Sequence, residues 1–213
     1  MNKLNFILIC LLIIFLCCST LRRRESFSQP TDTVVLLGDS ILKNNVYVMK
    51  GVDELLLEKI DGDVVSLSVD GATIRQTYKQ IDAIPDQLNR PETAIFLSVG
   101  GNDIVELFVN GPYDVEKDRR RIDTLFLSYK RLIDQLREKM DKARLILLDI
   151  YYPVSDDYRA YHPLIKRWNR LQSEYTDDVV NISKTVNNSR DFVYDIEPSD
   201  KGGEKIAQLI KKC

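Results

Sequence analysis

The chain has 213 residues, 44% of them hydrophobic and 29% charged, with a formal net charge of −2. That length supports one globular domain with a core of its own. Lys3, Arg22, Arg23 and Arg24 against Glu25 leave residues 1–30 at +3, so the remainder carries −5; an acidic body disfavours nucleic acid as a partner, because phosphates would be repelled.

The first element is apolar. Leu4 to Leu21, LNFILICLLIIFLCCSTL, holds no charged residue, and its length lies at the lower bound for a membrane span. Two readings fit: an uncleaved single-pass anchor, and a secretory signal peptide with Lys3 as its positive start. The lack of a small-x-small cleavage pattern favours the anchor. A core helix would show a polar face, and this stretch has none. The side of the membrane stays open. Arg22, Arg23 and Arg24 favour a cytoplasmic body, whereas Asn181-Ile182-Ser183 and Asn187-Asn188-Ser189 match the glycosylation pattern, which also recurs by chance. Residues 1–21 are thus read as a membrane anchor or signal segment, 22–33 as a polar linker and 34–213 as the folded body. Cys10, Cys17 and Cys18 fall in the apolar stretch and Cys213 is the last residue, so the body has no disulfide framework and no cysteine-based zinc site.

The body opens with TVVLLGDS, an apolar run ending in a turn. DVVSLSVDG at 63–71, TAIFLSVGGND at 93–103, ARLILLDIYYP at 143–153 and DFVYDIEP at 191–198 repeat the form. Continuous apolar runs, without strict alternation, predict strands covered on both faces and hence a parallel sheet. Between them, Ile122, Leu125, Phe126, Tyr129, Leu132, Ile133, Leu136 and Met140 recur at helical steps and predict a helix over Val115 to Met140. The run EKDRRR is its solvated face. Pro163 to Tyr175 predicts a second helix with proline in its first turn, and Lys201 to Lys212 the last. The expectation is a three-layer α/β domain with a five-stranded, mainly parallel sheet and helices on both faces. Ligands in such sheets bind at the carboxyl ends of the strands.

Unusual residues follow three of those strands. Gly38-Asp39-Ser40-Ile41 sets a serine on a sharp turn at a helix start, with its hydroxyl exposed and its N–H free to face an oxyanion; taken alone, Ser40 reads equally as a helix cap. Gly71, in SVDGATI, lets a ligand approach the backbone, or is a plain turn glycine. Gly100-Gly101-Asn102-Asp103 places an amide where it can meet a developing negative oxygen, or caps the next segment.

In this order and together, these motifs resemble the SGNH hydrolases, also called GDSL esterases and lipases. The resemblance spans about residues 33–212 and includes PSDKGGEKIAQLI near the end. It implies a flavodoxin-like fold and metal-free, cofactor-free hydrolysis of esters, thioesters or acetyl groups on carbohydrates. The partners it implies are small-molecule, carbohydrate or lipid esters, with the membrane reached through the N-terminal segment. It makes Ser40 the nucleophile, and makes the Ser40 N–H, the Gly71 N–H and the Asn102 side chain the oxyanion hole.

The last motif departs from the family's Asp-x-x-His. Aligned on Pro198, Glu197 stands at the histidine position and Tyr194 at the aspartate position, with Asp195 one residue off. A carboxylate with a reference pKa near 4.3 is a weak base for a serine hydroxyl, and Asp195 would repel it rather than orient it. The lone histidine, His162 in YHPLIKRW, precedes a helix after the fourth strand and reads first as a surface cap, because a helix N-terminus disfavours the imidazolium a base must become. Two functions follow as expectations: an esterase with a non-standard or incomplete triad, or an inactive, membrane-tethered relative that keeps the pocket for a ligand or partner.

Overall fold

A computed structural model describes residues 31–107 and 115–213. The segments read as anchor and as most of the linker lie outside the described residues. Strand β1 (Thr33–Gly38) is followed by α1 (Val52–Leu57), β2 (Asp63–Ser66), α2 (Ile74–Asp82), β3 (Thr93–Ser98), α3 (Gly101–Glu106) and α4 (Val115–Lys139). Then come β4 (Arg144–Leu148), α5 (His162–Tyr175), β5 (Val179–Val180), the pair β6 (Phe192–Val193) and β7 (Glu197–Pro198), and α6 (Asp200–Lys211).

Strands one to five form one sheet in the order β2-β1-β3-β4-β5, every neighbouring pair parallel. The two-residue period sorts side chains between its faces. Val35, Leu37, Ile95, Leu97 and Leu147 pack under α2, α4 and α5, whose Ile81, Tyr129, Ile133 and Trp168 complete that layer. Val34, Leu36, Phe96, Ile146 and Leu148 face α1 and α6 through Val52, Leu56, Ile206 and Ile210. Two covered faces explain the unbroken apolar runs, and the three-layer α/β architecture follows. The helical spacing read from 122 to 140 is the buried stripe of α4 and its C-terminal flank.

One strand assignment is corrected. DFVYDIEP does not enter the main sheet; it folds back on itself as the antiparallel pair β6–β7, with Val193 opposite Glu197. Tyr194 and Asp195 adopt φ of 49° and 69°, the left-handed region that reverses a chain. The fifth place in the sheet is taken by Val179–Val180, only two residues and too short for any periodic signal.

Candidate active site

At the carboxyl end of β1 the chain must turn hard against β3. Gly38 has φ +123°, and a Cβ there would stand 1.6 Å from the Ser98 carbonyl oxygen, so only glycine fits. The Gln80 side chain from α2 clasps the turn: the Gly38 N–H donates to Gln80 Oε1 at 2.6 Å, and Gln80 Nε2 donates to the Gly38 carbonyl at 2.8 Å. Leu42 and Lys43 N–H both close onto the Asp39 carbonyl at 3.1 Å. Ser40 therefore stands on a single turn and not at a helix start; the first helix begins only at Val52. Nor is the serine on open surface, since it is 7% exposed.

The side chain of Asp39 turns inward beneath it. Its Oδ1 accepts from the Ile41 N–H at 3.1 Å and from Ser98 Oγ at 3.3 Å. Burial, with no cation among these partners, pushes this carboxyl up to about 8; the hydrogen bonds oppose the shift, and the nearby charges of Glu197 and Asp103 add to it.

Asn102 lies in the first turn of α3, and its Nδ2 donates to the Ala72 carbonyl at 3.1 Å. Asp103 accepts from the Ile74 N–H at 3.0 Å, and burial raises its carboxyl to about 6. These two bonds fasten the turn after β2 to the turn after β3. Gly71 sits in that first turn at φ +71°, exposed, with open space where a Cβ would stand. It adjoins Asn102 through Ala72, yet it is not a wall of the cavity described next.

Glu197 arrives from the β6–β7 pair. The neighbouring Ser40 hydroxyl favours the charged form of its carboxylate, but burial is the larger effect and raises the carboxyl above its ordinary value, helped by the charge of Asp70. Its Oε2 is buried with no hydrogen-bond partner among the described residues. Tyr151 pins the hairpin by donating to the Ile196 carbonyl at 2.7 Å. Tyr194 is 71% exposed, its ring against Tyr47 at 5.9 Å, and Tyr47 Oη donates to Asp70 at 2.9 Å. Asp195 is exposed in the same turn.

Ser40, Asn102, Glu197 and Asp39 meet around one cavity of about 60 Å³, whose other walls are mostly isoleucine, valine and tyrosine. Among the described residues, no lysine, arginine or histidine lines it. His162 is elsewhere: its Nε2 lies 2.7 Å from the Pro153 carbonyl, and its ring meets Tyr152 edge-on. The chemistry available is a serine hydroxyl, a partly desolvated carboxylate and the Asn102 amide, all in the wall of one cavity. Asp39 and Tyr151 were not singled out from the sequence. Asp39 stood in the quoted Gly-Asp-Ser and gave a signal only by adjacency; Tyr151 gave none. Among the described residues, no group of three or more His, Cys, Asp or Glu side chains could hold a metal ion.

The model of the GDSL-like lipase/acylhydrolase family matches residues 36–204. Solved structures share the fold at low identity. A lipase, Lip_vut3, from a goat rumen metagenome is 18% identical, with a TM-score of 0.67 over 85% of this chain and 97% of its own. A member of the lipolytic G-D-S-L family from Veillonella parvula is 17% identical, with a TM-score of 0.64 over 84% and 96%. The acetyl xylan esterase AlAXEase is 16% identical, with a TM-score of 0.62 over 84% and 98%. No curated protein matches the sequence. With the serine turn, the asparagine turn and the three-layer sheet all inside the matched span, the chain belongs to the GDSL-like lipase/acylhydrolase family.

Proposed function

We propose that the protein is a slow serine esterase in which Glu197 fills the place of the triad histidine. The placement of Glu197 and Ser40 in the wall of one cavity, where the hydroxyl favours the ionised carboxylate, carries this reading. Ser40 Oγ attacks the ester carbonyl carbon while its proton passes to Glu197. The carbonyl oxygen becomes an oxyanion facing the Ser40 N–H, the Asn102 amide and the Gly71 N–H. Collapse breaks the bond to the leaving oxygen, which takes the proton from Glu197. Water then hydrolyses the acyl-serine by the same steps, returning Ser40 and a carboxylic acid. Desolvation makes Glu197 a better base than an exposed carboxylate, though a weaker one than imidazole, and no residue replaces the orienting aspartate. Hence the expectation of slow turnover.

A second reading rests on the same cavity. The charges of Glu197 and Asp103 both act on the buried Asp39, and no cation among the described residues lines the cavity, a setting that opposes oxyanion formation and suits an inactive, ligand-binding relative. The deciding assay is hydrolysis of a short-chain chromogenic ester by the wild type, by Ser40→Ala and by Glu197→Gln. Turnover lost in both variants supports the esterase; wild-type turnover no faster than in Ser40→Ala supports the binding module. In either case the Leu4–Leu21 segment is read as the tether of the body to a membrane, and a chain lacking residues 1–30 is expected to be soluble and folded.

A further inference from the structure

The cavity beside Ser40 has a composition that selects what enters it. Ile104 and Val105 of α3, Ile150 after β4, and Ile165 of α5 form its apolar walls. Tyr158 and Tyr161, from the short 3-10 helix Asp156–Tyr161, complete them with rings 5.6 Å apart. The polar members, Asp39, Ser40, Asn102 and Glu197, carry no positive charge among them. A carboxylate or phosphate on a ligand would enter without a counter-ion. The volume, about 60 Å³, is well under the roughly 150 Å³ that holds a benzene molecule in an engineered apolar cavity.

We propose that this cavity is the acyl subsite, that it takes an uncharged, unbranched acyl chain of a few carbons, and that Tyr158 and Tyr161 set the chain length. The assignment rests on the Ser40-centred reading for which part of the ester faces which side. It goes beyond that reading in naming the acyl class and the two residues that limit it. Each methylene buried in such a wall adds about fourfold in affinity until the chain meets the rings. Beyond that length, the chain must displace aromatic side chains and affinity falls. The two tyrosines are half-buried, and Tyr158, unlike Tyr161, does not pack against the main core, so its truncation enlarges the site without cutting into that core.

The test uses the full chain carrying Ser40→Ala, which binds esters without turning them over. It is titrated by calorimetry with p-nitrophenyl acetate, butyrate, hexanoate and decanoate, and with the p-nitrophenyl hemiester of succinic acid. Affinity is expected to rise from acetate to butyrate or hexanoate and to fall at decanoate. The hemisuccinate should bind at least about tenfold more weakly than butyrate. Adding Tyr161→Ala, or in a separate chain Tyr158→Ala, should move the optimum to a longer ester, with far-UV circular dichroism unchanged. Binding that ignores chain length, hemisuccinate binding equal to butyrate, or an optimum unmoved in both tyrosine variants would overturn the proposal. If the wild type proves inactive but the length dependence and its shift remain, the acyl subsite stands and only the catalytic reading fails.

Discussion

Glu197 shares the wall of one cavity with Ser40, delivered there by a two-stranded hairpin outside the main sheet. Burial and the charge of Asp70 raise that carboxyl above its ordinary value. As a base it works only when ionised, so activity should be lost as pH falls through the raised value, at a higher pH than a free glutamate near 4.3 would give. Glu197→Gln keeps shape and removes the base. Its kcat should fall by about 10²-fold or more, with KM little changed, and the acid limb should vanish from the pH–rate profile. A Gln variant with wild-type kcat would remove Glu197 from the mechanism.

Restoring the family's residues should raise activity. The hairpin already presents position 197 to Ser40, so Glu197→His would set an imidazole with reference pKa near 6.5 beside the hydroxyl. Tyr194→Asp costs little, because Tyr194 is 71% exposed and its φ of 49° suits aspartate better than tyrosine. The double variant is expected to gain about tenfold or more in kcat/KM on a short-chain ester near pH 7.5, and Ser40→Ala added to it should abolish the gain. No gain from a well-folded double variant would mean that the oxyanion donors are not aligned.

Asp39 makes stability depend on pH. In the fold its carboxyl holds a proton up to about pH 8, whereas in the unfolded chain it ionises near 4. Between those values the native state binds the extra proton, so this contribution is fully present below about pH 4 and is lost as pH rises toward 8. Asp39→Asn can still accept from the Ile41 N–H and Ser98 Oγ through its carbonyl oxygen, and it has no charge to bury. Its melting temperature should fall less than that of the wild type between pH 5 and pH 9, the difference corresponding to a few kcal/mol at most. Parallel melting curves for the two proteins across that range would refute the assignment.

His162→Ala should leave ester hydrolysis within about twofold of the wild type, because the imidazole faces the Pro153 carbonyl and Tyr152 and does not line the cavity. Robust wild-type turnover lost in this variant would show that the chain has moved its base to His162.

Much of the architecture is written locally. The runs starting at Val34, Ala94 and Leu145 are apolar at every step because both sheet faces are covered, and the stripe from Ile122 to Met140 repeats because α4 buries one side. The Gly-Asp-Ser and Gly-Gly-Asn-Asp turns are legible for a similar reason, since each is a short backbone path that few residues permit. What is not local is not legible. Val179–Val180 joins the sheet through pairing with β4, and two residues hold no period. The reversal at Tyr194-Asp195 uses left-handed residues where the usual signals, glycine and asparagine, are absent. The sequence by itself determined the parallel sheet, the serine and asparagine turns at its carboxyl edge, and the glutamate before Pro198. Only the tertiary structure decided that Glu197 reaches Ser40, that His162 does not line the cavity, and that Asp39 keeps a proton, because contact and proton affinity depend on which distant groups exclude water from a side chain, and no residue type records that exclusion.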